Sequence, residues 1–368
     1  IAKDMAALQL STSLPGQSDV LLVGMDERMI EKANGCAKST VREDLLIEIA
    51  KIAAAGNCDH LLLESTGVSD SLSLTESFNF RDEACESLGD IARIDAIVNV
   101  IDGPNFLNDY SSPDTLQDRG CAVNQHDTRT VVDLLVDQIE FANVILLNKV
   151  DLISKEDGDR IQSMMGALNP QATIYETVNS EISPDCVIAT GLYDRAERKR
   201  NQGWLDPLLE KAPATGKPTH SNFVYKRRVP FHPERLYRLF DQAWPGVIRS
   251  KGLFWLATRP ELAGYWSQAG SINQHQCLGF FWAAMPRESW PADPETLARI
   301  KASFQLPYGD RRQEFALIGS EMDQSALTEM LDSALLTDKE LATEHDEWAA
   351  RFSDPFPKWD PIHPQIHE

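Results

Sequence analysis

Four consecutive residues, Asn148, Lys149, Val150 and Asp151, follow an apolar, β-branched run and carry the sharpest chemistry in the chain. A carboxylate such as Asp151 can accept two hydrogen bonds from the N1 and N2 donors of guanine, a pairing that adenine cannot offer. An Asn such as Asn148 can hold the loop, and the stem of Lys149 can cover the ring. Ligands of α/β sheets bind at the carboxyl ends of strands, which is where this tetrapeptide stands. The implied base is guanine; a chance Asn-Lys turn is the plain alternative.

A second strand-like run, "LLLESTG" (Leu61 to Gly67), also leads into a loop of small residues. An acidic side chain at that strand end, Glu64, can hold Mg²⁺ through water, and the amide of Gly67 can meet a terminal phosphate. The same letters also make an ordinary helix-leading turn. The pattern draws its weight from standing one α/β unit upstream of the NKVD strand. A third stretch, "KANGCAKSTVREDLLIEIAKI" (Lys32 to Ile52), opens like a metal-binding turn yet holds a single cysteine, Cys36.

The elements that must position these residues are legible as alternation. "HLLLES", "DAIVNVID" and "ANVILLNKVD" are short, continuous apolar runs of the kind buried in parallel sheets. Thr40 and Glu43 can form a capping box opening a helix that carries Val41, Leu45, Ile49 and Ile52 on one face and stops at Gly56. "TRTVVDLLVDQIEFA" and "KEDGDRIQSMMGALNP" give two further helices. Strands alternating with helices predict an α/β domain with a mostly parallel sheet, over residues 1–211. Pro, Gly and Thr gather at 212–220, a linker. Residues 221–336 then read strand, helix, strand, strand, helix, strand, with an added helix, which predicts an α+β ferredoxin-like domain. The Pro-rich tail, 337–368, is expected to pack as irregular chain or to fray.

Composition sets bounds. Among 368 residues, 42 % hydrophobic and 25 % charged, 56 are acidic and 35 basic, for a formal net charge of −21. Such a chain repels a phosphate backbone, so general nucleic-acid binding is disfavoured. Six cysteines, at 36, 58, 85, 121, 186 and 277, lack the spacing of a disulfide framework and read as reduced thiols of a cytoplasmic protein. No apolar run nears the roughly 20 residues of a membrane span, and no signal-peptide pattern opens the chain. The first residue is Ile1 rather than Met, so translation need not begin there.

"NGCAKSTVREDLL", "LLLESTGVSD", "IDGPNFLND" and "QIEFANVILLNKVDL", followed by "RVPFHPERLYRLF", "WPGVIRSKGLFWLATR" and "GDRRQEFALIG", together resemble the CobW-type GTPase family. These are P-loop metallochaperones, among them nitrile hydratase activators and zinc-transfer proteins. The resemblance spans almost the whole chain. It implies a GTP-hydrolysing domain that couples nucleotide state to delivery of Zn²⁺ or Co²⁺ to a client metalloprotein, and a smaller domain that meets the client. Glu64 and Gly67 would then respond to Mg²⁺ and the terminal phosphate, Asn148, Lys149 and Asp151 would read guanine, and Cys36 would be a metal ligand. "IAKDMAALQ" resembles the family's second strand and the acidic residue after it, Asp4, with Lys3 where the family usually has Asn.

Two departures stand out. The family's phosphate loop, Gly-x-x-x-x-Gly-Lys-Ser/Thr, should precede Ile1 to Asp4, and the sequence does not supply it. Because the strand bearing that loop sits mid-sheet, the sequence is read as an N-terminally incomplete copy of a normal protein in preference to a P-loop-less one. The family's turn is also Gly-Cys-x-Cys-Cys, whereas here Gly35 and Cys36 are followed by Lys38 and Ser39 at the second and third ligand positions. One thiolate beside an ammonium is not expected to bind zinc or cobalt in the family's manner. Lys38 could make Cys36 reactive; a structural thiol is the plainer reading. The alternative to a GTPase is a degenerate paralogue serving as a protein-binding scaffold. Among scattered histidines, His363 and His367 form the best pair for a weak site, although Pro364 breaks their alignment. Trp244, Trp255, Trp266, Trp282 and Trp290 read as core or as a partner surface, and Arg311 and Arg312 as a solvated loop or as contacts to an acidic partner or phosphate.

Overall fold

The computed structural model describes residues 20–24, 49–56, 59–64, 75, 78, 87–122, 127–194, 221–342 and 347–359, and the chain divides into two compact units, 1–198 and 199–368. Asp4, Cys36, Gly67, His363 and His367 lie outside the described residues.

In the first unit, β1 (Val20–Gly24) pairs in parallel with β2 (His60–Glu64). A helix over 49–55, α1, ends at Gly56, whose φ of 62° puts it in the left-handed region that glycine enters without steric cost. Ile49 of α1 and Phe78 are buried together, with Leu61 and Leu63 of β2 packed against them. After a short helix α2 (Leu88–Ile91), a second sheet is formed by β3 (Val98–Asp102), β4 (Val144–Asn148) and β5 (Thr173–Thr177), all parallel in the order β3-β4-β5. Between them run α3 (Gly103–Tyr110), α4 (Val131–Phe141) and α5 (Lys155–Leu168). Among the described residues the two small sheets share no strand pairing. Leu62 of β2 and Val100 of β3 are 42 % and 53 % exposed, unusual for apolar side chains on parallel strands.

The local reasons are plain. Thr130 caps α4 with its side chain on the Asp133 amide, and Asp133 returns the bond to the Thr130 amide, a full capping box. Val132, Val136 and Ile139, at spacings of four and three, are wholly buried, as are Ile145 and Leu147 of β4. Each such side chain contributes about 1.5–3 kcal/mol by leaving water. Asn169, just past α5, donates from Nδ2 to the carbonyls of Ile139 and Ala142 at 2.8 Å, so it closes the open end of α4 against β4.

The second unit is an antiparallel sheet of five strands in the order β6-β10-β7-β8-β9: β6 (Ser221–Arg227), β7 (Val247–Trp255), β8 (Leu262–Ala269), β9 (Ile272–Phe280) and β10 (Gln313–Gly319). The α+β class holds, but the ferredoxin-like four-strand order does not: β8 was missed. Its "LAGYWSQA" mixes Gly, Ala, Ser and Gln with two aromatics, a weak strand signal on its own, and pairing on both sides decides the matter.

Helices α6 (Pro233–Phe240) and α8 (Gln324–Asp332) cover one face of this sheet, where Leu236, Leu239, Phe240, Leu327 and Leu331 meet Tyr225, Phe254, Trp266, Phe315 and Leu317. Gly252 faces Phe315 so closely that an added Cβ would lie 2.4 Å from the ring, so the aromatic layer requires glycine there. Helix α7 (Pro294–Ser303) lies between β9 and β10 in sequence. The tail differs from the expectation of irregular chain: α9 (Asp338–Leu341) and α10 (Trp348–Arg351) form, and Trp348, Phe356 and Trp359 are buried in the two core clusters. Their aromatic area outweighs the surrounding Pro and Asp.

Trp244, Trp255 and Trp266 are core residues. Arg311 is neither solvated nor available: it donates to the carbonyls of Pro260 and Tyr308, while Arg312 binds the Glu314 carboxylate and the Asp310 carbonyl. His232 packs at a tilt against Phe352, with ring centres 4.7 Å apart, and His275 lies among Tyr237, Phe240 and Phe356; burial pushes both imidazole pKa values down, as for packed histidines rather than ligands. Cys121, Cys186 and Cys277 are free thiols. Among the described residues no helix is long and apolar enough to cross a membrane.

Candidate functional site

The last residues of three parallel strands stand side by side: in register, Asp102 ends β3 opposite Asn148, and Asn148 ends β4 opposite Thr177 of β5. This row is the carboxyl edge of the sheet. The apolar run of β4 is buried throughout, which fixes Asn148 at the point where the chain leaves the core. Its side chain is correspondingly buried, and Oδ1 accepts from Thr177 Oγ1 at 3.1 Å and from the Ser180 amide at 2.8 Å. Asn148 thus ties its own loop to the one that follows β5.

Both loops are sharply turned. Lys149 has φ 60°, and Asn179 and Ser180 have φ 53° and 57°, three non-glycine residues in the left-handed region. Such conformations persist where the surroundings hold them, and they gather at binding sites. Lys149 is held by its own side chain, whose Nζ donates to Asp102 Oδ2 at 2.8 Å. The same oxygen accepts from Asn105 Nδ2 at 3.0 Å. Burial pushes the Asp102 carboxyl up, but the Lys149 and Asn105 donors outweigh it, and the net shift is below the ordinary carboxylate value. Gly103, next in the chain, passes so close to β4 that an added Cβ would sit 2.9 Å from the Asn148 carbonyl oxygen.

Asp151 lies on the single 3₁₀ turn Val150–Leu152 and is exposed. No hydrogen bond or ion pair engages its carboxylate among the described residues, so its acceptor oxygens remain open. The corner therefore brings Asn148, Lys149 and Asp151 together as a buried brace, a held ammonium and an open acceptor. Glu64, exposed at the end of β2, belongs to the other small sheet. Among the described residues no group of three or more His, Cys, Asp or Glu side chains could hold a metal ion.

Sequence reasoning missed Asp102, Thr177, Asn179 and Ser180. The signal for Asp102 was present, an acidic residue ending a buried strand one unit before NKVD. The turn at 179–180 had none, because "TVNSE" lacks the glycine that usually marks left-handed backbone.

Two family models match the chain: "CobW/HypB/UreG, nucleotide-binding domain" over residues 13–176 and "Cobalamin synthesis protein cobW C-terminal domain" over 220–335. The Zinc-regulated GTPase metalloprotein activator 1 of Dictyostelium discoideum is 38 % identical over 328 residues, 88 % of this chain and 69 % of that protein. The Zinc chaperone Rv0106 of Mycobacterium tuberculosis is 27 % identical over 92 % of this chain and 82 % of its own length. Among solved structures, the Zn(II)-bound YjiA GTPase from E. coli aligns over 86 % of this chain and 90 % of its own at 14 % identity, with a TM-score of 0.35. On the strength of the two family models and the Dictyostelium relative, the chain belongs to the CobW/HypB/UreG nucleotide-binding family, in the branch that carries the CobW C-terminal domain.

Proposed function

We propose that the protein binds and hydrolyses GTP and uses the nucleotide state to deliver zinc to a client metalloprotein. The observation that carries this reading is the corner at the end of β4, where Asp151 offers two open acceptor oxygens beside the fixed Lys149 stem. Asp151 pairs with guanine N1 and N2, Lys149 covers the ring, and Asn148 holds the loops in place. The relatives named for zinc support the cargo. Cobalt is the secondary candidate.

The remaining assignments follow the same reading. The Glu64 carboxylate, exposed at a strand end, is a hard oxygen donor of the kind Mg²⁺ accepts directly or through water. That ion would neutralise charge on the phosphates, with Gly67 donating its amide to the terminal one and Asp4 completing the acidic edge. Cys36 would be the remaining metal ligand, so zinc binds more weakly than at a site of three thiolates. Strands β1–β5 are assigned to a GTPase-type parallel sheet within residues 1–211, with a linker at 212–220, the client-contacting domain at 221–336 and a tail at 337–368. A cytoplasmic location fits the dispersed cysteines.

The test is a titration with a fluorescent guanine nucleotide in Mg²⁺, competed separately with GTP and ATP. Displacement by GTP and not by ATP is the expected result. Equal displacement would remove the guanine assignment, and absence of binding by the folded protein would favour a scaffold role. A zinc titration of wild type against Cys36→Ser addresses the cargo: a tight site abolished by that change would overturn the weak-site assignment.

A further inference from the structure

We propose that Asp102 is a positioning residue of the nucleotide site, acting through Lys149 rather than on the nucleotide; this rests on the guanine reading given above. Three observations converge on it. Asp102 stands opposite Asn148 in the strand register, so its carboxylate is fixed by the sheet, not by a loop. Its Oδ2 holds Lys149 Nζ at 2.8 Å and is itself steadied by Asn105 Nδ2 at 3.0 Å, from the first turn of α3. Its Oδ1 is buried and has no hydrogen-bond partner among the described residues, so the carboxylate is kept in this place at a desolvation cost.

The geometry explains why such a device is needed. Lys149 has left-handed backbone, and both its ammonium and the Asp102 carboxylate are partly exposed, at 47 % and 38 %. A surface pair of that kind contributes little to folding. Its value lies in restricting a long, otherwise mobile side chain to the one direction in which its stem can lie across a base. A lysine without the anchor would sample many rotamers, and the cost of ordering it would fall on nucleotide binding.

The experiment is a double-mutant cycle in the full-length protein with Asp102→Asn, Lys149→Met and the pair, reading the dissociation constant for GDP in Mg²⁺ and the thermal midpoint of each variant. Asp102→Asn is expected to weaken GDP binding about 10-fold, Lys149→Met by a similar factor, and the double variant by no more than the larger single loss. Asp102→Glu, which keeps the charge, should recover part of the affinity, and no variant should shift the thermal midpoint by more than a few degrees. Multiplicative losses in the double variant, or an Asp102→Asn protein that binds as wild type does while Lys149→Met does not, would overturn the positioning role and leave the guanine reading intact. A folded wild type that binds no guanine nucleotide would overturn both.

Discussion

The two units use their charged side chains for opposite ends. In the C-terminal unit, each prominent carboxylate is held twice and joins segments far apart in the chain. Asp332 accepts from the Arg227 guanidinium and from Tyr225 Oη, and its pull together with burial raises the Tyr225 phenol above its ordinary range. Glu340 takes both arms of Arg235, and Asp354 takes two nitrogens of Arg259, whose guanidinium carbon lies 4.4 Å from the centre of the Trp359 ring. These pairs, spanning 105, 105 and 95 residues, fasten the region after β10 to the end of β6, to α6 and to the connection between β7 and β8. In the corner at the end of β4, by contrast, no hydrogen bond or ion pair among the described residues engages the Asp151 carboxylate, and that of Asp102 holds Lys149 and Asn105 through one oxygen while the other has no partner there. Charges that fasten are satisfied within the chain; charges that recognise are left with capacity for something else.

The contrast is broken most directly at Asp354. Asp354→Ala removes the carboxylate that neutralises the Arg259 guanidinium, whose side chain is only 14 % exposed and keeps just the carbonyls of Phe356 and Pro357, and it also removes the acceptors of Thr258 Oγ1 and the Phe356 amide. Removing one partner of a largely buried pair is expected to cost about 3–4 kcal/mol, read as a lower denaturation midpoint of the C-terminal unit. A loss near zero would mean that the tail is not fastened by charge. Asp151→Ala should do the reverse. On the proposed guanine reading two charge-assisted bonds are lost, so affinity for GDP should fall about 100-fold, equivalent to about 2.7 kcal/mol. Because the side chain is exposed and makes no hydrogen bond or ion pair among the described residues, stability should change by less than about 0.5 kcal/mol. If stability falls instead, Asp151 belongs with the fastening charges.

How much of this was legible depended on the range of the forces involved. The parallel strands and the helices α4 and α5 were readable because period and caps are local: Thr130 to Asp133 and the buried run of β4 act within a few residues. NKVD could be singled out because its residue types are themselves the chemistry that the guanine reading assigns to them. The brace was not, because Asp102 and Lys149 are 47 residues apart and meet only through the register of β3 with β4. In the C-terminal unit, the same limit concealed β8, whose identity rests on two neighbours, and the burial of Trp348 and Trp359 in a segment that composition marks as loose chain. Arg311 and Arg312 looked like surface charges because nothing local names the backbone carbonyls and the carboxylate that hold them.

Acid offers a graded version of the Asp354 test. Glu340 is pulled down to about 2 from an ordinary 4.5, first by the Arg235 guanidinium and against burial, with the Thr337 amide and hydroxyl adding to the effect. A carboxylate whose folded pKa is depressed stabilises the fold fully above its unfolded pKa, and that stabilisation fades as pH falls toward the folded value. Glu340→Gln should therefore cost about 2 kcal/mol at neutral pH, and the gap from wild type should close as pH drops from about 4.5 toward about 2. A gap independent of pH would assign the loss to the shape of the side chain instead of its charge.

The smallest expected effect lies back in the first unit, at the capping box of α4. Thr130 is buried, and its hydroxyl satisfies the Asp133 amide while the Asp133 carboxylate satisfies the Thr130 amide. Thr130→Ala removes half of that exchange and should cost about 1 kcal/mol. Thr130→Ser keeps the hydroxyl and should recover most of it; an equal loss in the serine variant would locate the contribution in the threonine methyl. Neither change should alter GDP affinity, because the capping exchange runs between Thr130 and Asp133, while the bonds that hold the corner run between Lys149 and Asp102 and between Asn148 and the loop after β5. A nucleotide effect from so small a change at the far end of the helix would mean that the recognising corner is held no more firmly than the helix that leads to it, and the division between charges that fasten and charges that recognise would then fail inside a single unit.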